Sequence, residues 1–224
     1  MELKGTVFNF LGDSITEGLG VSDHEHNRYD RVILQKCGLK AANNYGISGT
    51  RIAHQTHPSE RSSFDLCFCG RASRMDPKAD VVVVYGGVND YIHGDAPFGA
   101  EGDTTPATFC GGVDRLMSIL QESHPNATIV FLTPARMRFR GIYDTQPSNW
   151  PEKLPDAKPL AAYVDVIKAA GARHNIPVLD LYTQLPIDPK VAEEGERYTI
   201  DGLHFNDAGH GVLADCLIDF LKQL

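Results

Sequence analysis

Serine becomes a useful nucleophile only when a base accepts its proton and nearby donors receive the charge that develops on the substrate. Four stretches of this 224-residue chain carry groups of those types. The first, "GDSITEG" (12–18), places Ser14 just after the apolar run Thr6–Leu11. The second, "NNYGISGT" (43–50), contains Gly46 and Gly49, which tolerate positive φ and leave backbone N–H groups free to face a ligand. In the third, "YGGVNDY" (85–91), Asn89 brings an amide donor behind two glycines. The fourth, "DGLHFNDAGH" (201–210), sets Asp201 and His204 three residues apart, so one turn can hold a carboxylate beside an imidazole.

Each stretch has a plainer reading. An Asp-Ser pair after a strand caps a helix or makes a turn, and an asparagine in a turn often bonds its own backbone. His204 alone is an ordinary loop histidine. Together, however, the four supply every part of acyl transfer. Ser14 would attack a carbonyl carbon as His204 takes its proton. Asp201 would hold the other ring nitrogen and stabilise the imidazolium. The N–H groups of Ser14 and Gly49 and the amide of Asn89 would face the oxyanion.

These residues must be carried to one place by the elements between them. Strand candidates are Thr6–Leu11, Ala41–Tyr45, Ala79–Tyr85, Ala127–Leu132 and Pro177–Leu181. The third holds four consecutive valines, a β-branched run suited to a strand buried on both faces. Helical spacing recurs between them: Val113, Leu116, Ile119 and Leu120; then Tyr163, Val164, Ile167 and Ala170; then Val212, Leu213, Cys216, Leu217 and Phe220. Strands alternating with such helices predict right-handed crossovers and a parallel sheet covered on both faces. About five strands and five helices make a three-layer α/β/α sandwich. No repeat or linker divides the chain, so residues 1–224 are expected to form a single domain.

The segment Arg136–Lys158 fits neither pattern. It is rich in proline and polar residues, holds the only tryptophan, Trp150, and follows the fourth strand. Loops of that length are often lids or binding loops, and open α/β sheets bind ligands at the carboxyl ends of their strands. Arg138, Arg140, Tyr143 and Trp150 are therefore candidates for a pocket wall, unless they pack the loop down. Arg51 either lines the same pocket or faces solvent.

In order, "GDSIT", "GISG", "GGVND" and "DGLH" resemble the four sequence blocks of the SGNH hydrolases, also called the GDSL esterase/lipase family. The resemblance implies a Ser14 nucleophile, an Asp201/His204 pair, and oxyanion donors from Gly49 and Asn89. It further implies a flavodoxin-like sheet of order 2-1-3-4-5. Asp13 itself is expected to brace the loop around the serine by hydrogen bonding. Two departures stand out: Val88 lengthens the third block, and Ile15 replaces the leucine of the family's common name.

The totals narrow the alternatives. A formal charge of −8 disfavours nucleic acid or an anionic membrane as partner. The N-terminal apolar run is too short for a signal peptide, and no stretch is long enough to span a bilayer, so a cytoplasmic protein is expected. Five cysteines (37, 67, 69, 110 and 216) without C-x-x-C spacing read as free thiols. No cofactor is expected, and neither G-x-G-x-x-G nor G-K-[ST] is present to cradle a phosphate. His24-Glu25-His26, His54-x-x-His57 and Cys67/Cys69 are the nearest approaches to a metal site, and each is incomplete, so no metal is expected. The G-x-S-x-G elbow of α/β-hydrolases is missing. The expected substrate is a small-molecule or carbohydrate ester with a short acyl group, O-acetyl included. An acyltransferase sharing the acyl-enzyme, or a flavodoxin-like binding module without catalysis, remains the alternative.

Overall fold

The valine run does what its chemistry demands. In a computed structural model describing residues 1–151 and 153–224, Val81–Tyr85 forms a central strand whose four valines are wholly buried. Around it lie, in chain order, β1 (Val7–Gly12), α1 (Ser14–Glu17), α2 (Tyr29–Cys37), β2 (Ala41–Gly46), α3 (Phe68–Arg71), β3 (Val81–Tyr85), α4 (Val88–Ile92), α5 (Phe109–Ser123) and β4 (Thr128–Leu132). The second half adds β5 (Arg138–Phe139), β6 (Ile142–Tyr143), α6 (Leu160–His174), β7 (Val178–Leu179), α7 (Leu181–Gln184), α8 (Ala192–Tyr198) and α9 (Asp207–Gln223).

Five strands form one parallel sheet in the order β2-β1-β3-β4-β7. Counting only its own strands, this is the expected 2-1-3-4-5. Helices α2 and α9 pack together, as do α5 and α6, and these pairs cover the sheet as the outer layers of an α/β/α sandwich. Register then sets the functional edge. Gly12 lies opposite Gly46 on one side and Tyr85 on the other, and Tyr85 lies opposite Leu132. The carboxyl ends of four strands are therefore level, and the loops that follow them share one rim.

Two elements differ from the sequence-based expectation. The fifth strand has only two residues, because Asp180 accepts the Thr183 N–H at 3.3 Å and starts α7 in its place. The long segment after β4 contains a small hairpin, β5–β6, turning at Arg140 (φ 50°) and Gly141 (φ 81°). Two positive φ values in a row are the signature of a tight hairpin turn, and arginine is an uncommon residue in such a place. Among the described residues, no helix is long and apolar enough to cross a membrane.

Candidate active site

Gly12 ends β1 where a Cβ would come within 1.9 Å of the Thr16 side chain, so the chain can fold tightly back over itself only with glycine there. Asp13 then caps α1: its carboxylate accepts the Ile15 N–H at 3.0 Å. Burial pushes this carboxyl up to about 6, against the lowering effect of the Ile15 N–H and the Arg71 charge. Ser14 follows as the first residue of α1 and is almost wholly buried.

At the other end of the chain, Asp201 organises a turn around itself. One carboxylate oxygen accepts the N–H groups of Leu203 (3.0 Å) and His204 (2.8 Å), and the other accepts from His204 Nδ1 at 2.7 Å. Burial raises the carboxyl, but the imidazole and backbone donors outweigh it and hold Asp201 below the usual range. An ionised carboxylate only accepts, so the ring proton belongs on Nδ1 and the Nε2 lone pair is free. That lone pair faces Ser14 Oγ at 2.9 Å, across 190 residues of sequence.

The other two motifs close on the same rim. Gly49 has φ 75°, and a Cβ there would meet the Phe64 ring at 2.3 Å. Glu17 fastens this loop to α1, accepting the Ser48 N–H at 2.8 Å and the Ser48 hydroxyl. Asn89 donates from Nδ2 to the Thr50 carbonyl at 3.1 Å, so its amide is tied to the residue next to Gly49. Asp90 completes the join by accepting the N–H groups of Ile52 (2.9 Å) and Ala53 (3.0 Å).

The pocket candidates divide. Arg51 is buried against the Gly49 loop and does not face solvent: its guanidinium donates to the carbonyls of Phe64 (3.2 Å) and Gly49 (3.4 Å) and lies over the Phe64 ring. Trp150 is half-buried and packs 5.9 Å from the His93 ring, which itself stacks on Phe64. Arg138 reaches the site through its backbone, donating its N–H to the Gly202 carbonyl at 3.0 Å, while its side chain is exposed. Tyr143 is 45% exposed, and its carbonyl accepts from the Tyr91 hydroxyl. Arg140 lies over the Phe139 ring at the hairpin tip.

Several site neighbours escaped the sequence reading. Phe139 stands edge-on to the His204 ring at 5.8 Å. Its only signal was the Arg140-Gly141 turn between two apolar residues, a weak one without asparagine in first place. His93, four residues beyond Asn89, was detectable from helical spacing alone. Phe64 had no local signal. A cavity of about 480 Å³ lies nearby, lined by His54, His57, Asp65, Leu66 and Arg71 among others, but none of Ser14, Asp201 and His204 lines it.

His57 there pairs with Asp95, and His26 with Asp23. Among the described residues, no three histidine, cysteine or acidic side chains come together in a way that could hold a metal ion. All five cysteines are unpaired, and Cys67 and Cys69 are both buried.

Fold and site together define a class: a flavodoxin-like α/β/α protein whose serine, imidazole and carboxylate meet where the loops leave the carboxyl edge of the sheet. The chain belongs to the GDSL-like lipase/acylhydrolase family, which it matches over residues 10–212, and it is accordingly an ester-hydrolysing enzyme. No curated protein matches it. Among solved structures it is similar to a protein from Lactobacillus plantarum, at 27% identity and a TM-score of 0.82, covering 99% of this chain and 98% of that one. It also shares its fold with the lipase/acylhydrolase from Enterococcus faecalis, at 20% identity and a TM-score of 0.62, with 97% and 96% covered.

Proposed function

We propose that this enzyme hydrolyses short-chain acyl esters, O-acetyl groups on carbohydrate among them, through an acyl-enzyme on Ser14. The observation that carries the reading is the unbroken bond chain from Asp201 through His204 to Ser14, at 2.7 and 2.9 Å. As Ser14 Oγ attacks the carbonyl carbon, its proton passes to His204 Nε2. Asp201, still ionised, stabilises the imidazolium. The oxyanion is received by the N–H groups of Ser14 and Gly49 and by the Asn89 amide. Collapse breaks the ester C–O bond, and the departing alcohol takes the proton from His204. Water then enters, gives a proton to His204 and attacks the acyl carbon. Release of the acid returns that proton to Ser14 Oγ.

The substrate class is supported by what stands near the triad. Phe139 beside His204, and Phe64, His93 and Trp150 beside the Gly49 and Asn89 loops, offer short aromatic walls and no extended apolar run. Such rings, with Arg51 behind them, suit a sugar face or other compact polar alcohol. The test is hydrolysis of p-nitrophenyl acetate, butyrate and octanoate, and then of acetylated sugars, by wild type and Ser14→Ala. Acetate and butyrate should be turned over faster than octanoate, and Ser14→Ala should fall to background. Equal rates in Ser14→Ala would remove the nucleophile, and a preference for octanoate would overturn the short-chain assignment.

A further inference from the structure

The Asn89 side chain is held at both of its ends. Its Nδ2 lies 3.1 Å from the Thr50 carbonyl, a group that only accepts, so the NH₂ must be the end facing Thr50. Its Oδ1 lies 3.0 Å from His93 Nε2, which must then donate. Asn89 starts the short helix α4 in its second position and His93 caps that helix, donating its backbone N–H to the Asn89 carbonyl at 3.0 Å. Residues four apart on a helix share one face, and here the imidazole returns onto the amide. The ring stacks on Phe64 and packs at a tilt against Trp150, with both centroids 5.9 Å away.

From this geometry we infer that His93 is a positioning residue, which locks the Asn89 amide with one N–H bound to Thr50 and the other presented to the reacting carbonyl. The inference rests on the esterase reading above. Without a donor at His93, the amide could rotate, or flip its oxygen towards the oxyanion and oppose it. A donor on Oδ1 also polarises the amide and strengthens its N–H groups as donors. Burial, with Arg51 and Lys153 nearby, pushes the His93 imidazole down to about 3, so the ring is neutral at working pH and owns a single N–H. That N–H must be on Nε2, because an Nε2 lone pair would face the Oδ1 lone pairs.

Three variants separate donor from packing. His93→Phe keeps a ring between Phe64 and Trp150 but removes the N–H, while His93→Gln loses the ring and keeps a donor at nearly the same reach. With p-nitrophenyl acetate, His93→Phe should lower kcat on the order of 10-fold with KM within about twofold, and His93→Gln should recover most of the loss. The Asn89 side-chain amide signals in ¹⁵N spectra, identified by their absence in Asn89→Ala, should move in His93→Phe and stay near wild type in His93→Gln. Wild-type kcat in His93→Phe, or equal losses in the Phe and Gln variants at unchanged melting temperature, would overturn the role. Should His93→Phe fail to fold, His93→Met against His93→Gln gives the same contrast with the ring absent from both. If Ser14→Ala proves as active as wild type, the esterase reading falls, and the amide signals still decide whether His93 holds Asn89.

Discussion

The amide of Asn89 carries a division of labour within one side chain. One N–H is spent on Thr50, and in the proposed mechanism the second receives the substrate oxygen. An amide contributes to turnover only when charge develops on that oxygen, so its loss should appear in kcat and hardly at all in KM. Asn89→Ala is therefore expected to lower kcat by roughly 10²–10³ on p-nitrophenyl acetate, with a melting temperature near that of wild type. Undiminished kcat in that variant would take Asn89 out of the oxyanion site. Arg51 shows why residue type alone misleads. A guanidinium beside the second block suggests a substrate contact, yet its Nη1 is committed to two backbone carbonyls of the loops it holds together.

At the scale of elements, the site depends on a joint between the β5–β6 hairpin and the turn bearing Asp201 and His204. Gly202 sits at that joint with φ 85°, and a Cβ on it would lie 1.9 Å from the Arg138 carbonyl. Backbone atoms cannot step aside as a flexible side chain can. Gly202→Ala must therefore push the hairpin away, taking Phe139 from the His204 ring, besides costing about 1–2 kcal/mol for alanine in the left-handed region. The expected result is lower kcat together with faster hydrogen exchange at residues 138–143. Exchange there at the wild-type rate would show that the joint is slack. On the far side of the same segment, Lys153 donates to the carbonyls of Asp90 (2.7 Å) and Gly94 (2.9 Å). The ammonium thereby fastens the loop to the helix that carries Asn89, so the segment after β4 is pinned at both ends.

For the molecule as a whole, the buried carboxylates set how stability varies with pH. Asp13 and Asp90 are each raised by burial to about 6, from an ordinary value of 3.8. Between those values the folded chain holds protons that the unfolded chain has lost, so stability falls as pH rises from about 4 to about 6. Asp201, lowered in the fold, works in the opposite direction: its contribution is present above the ordinary carboxylate range and is lost as pH falls. Asparagine keeps the cap at position 13 without the charge. Asp13→Asn should therefore gain on wild type as pH rises from 4 to 7, by at most about 3 kcal/mol for a shift from 3.8 to about 6. Urea unfolding of both proteins at the two pH values measures it. A difference that is the same at pH 4 and pH 7 would show that Asp13 is not the group responsible.

What the amino-acid sequence determined by itself is everything governed by short range. The valines of β3 announce a strand because β-branching and burial on both faces act residue by residue. Asp201 and His204 read as a pair because three residues and a glycine suffice to close that turn. Ser14, Gly49 and Asn89 were each legible as residues just past a strand, and the parallel order of those strands brings them to one rim. Only the tertiary structure decided the rest. Ser14 meets His204 across 190 residues, Phe139 reaches His204 from a hairpin with almost no turn signal, and Phe64 covers Gly49 from a short 3-10 turn with no signal at all. The burial of Arg51 and the exposure of Tyr143 belong to the same class. Periodicity and turn chemistry report on neighbours in the chain, whereas these contacts depend on how far each loop travels after leaving the sheet, which packing alone determines.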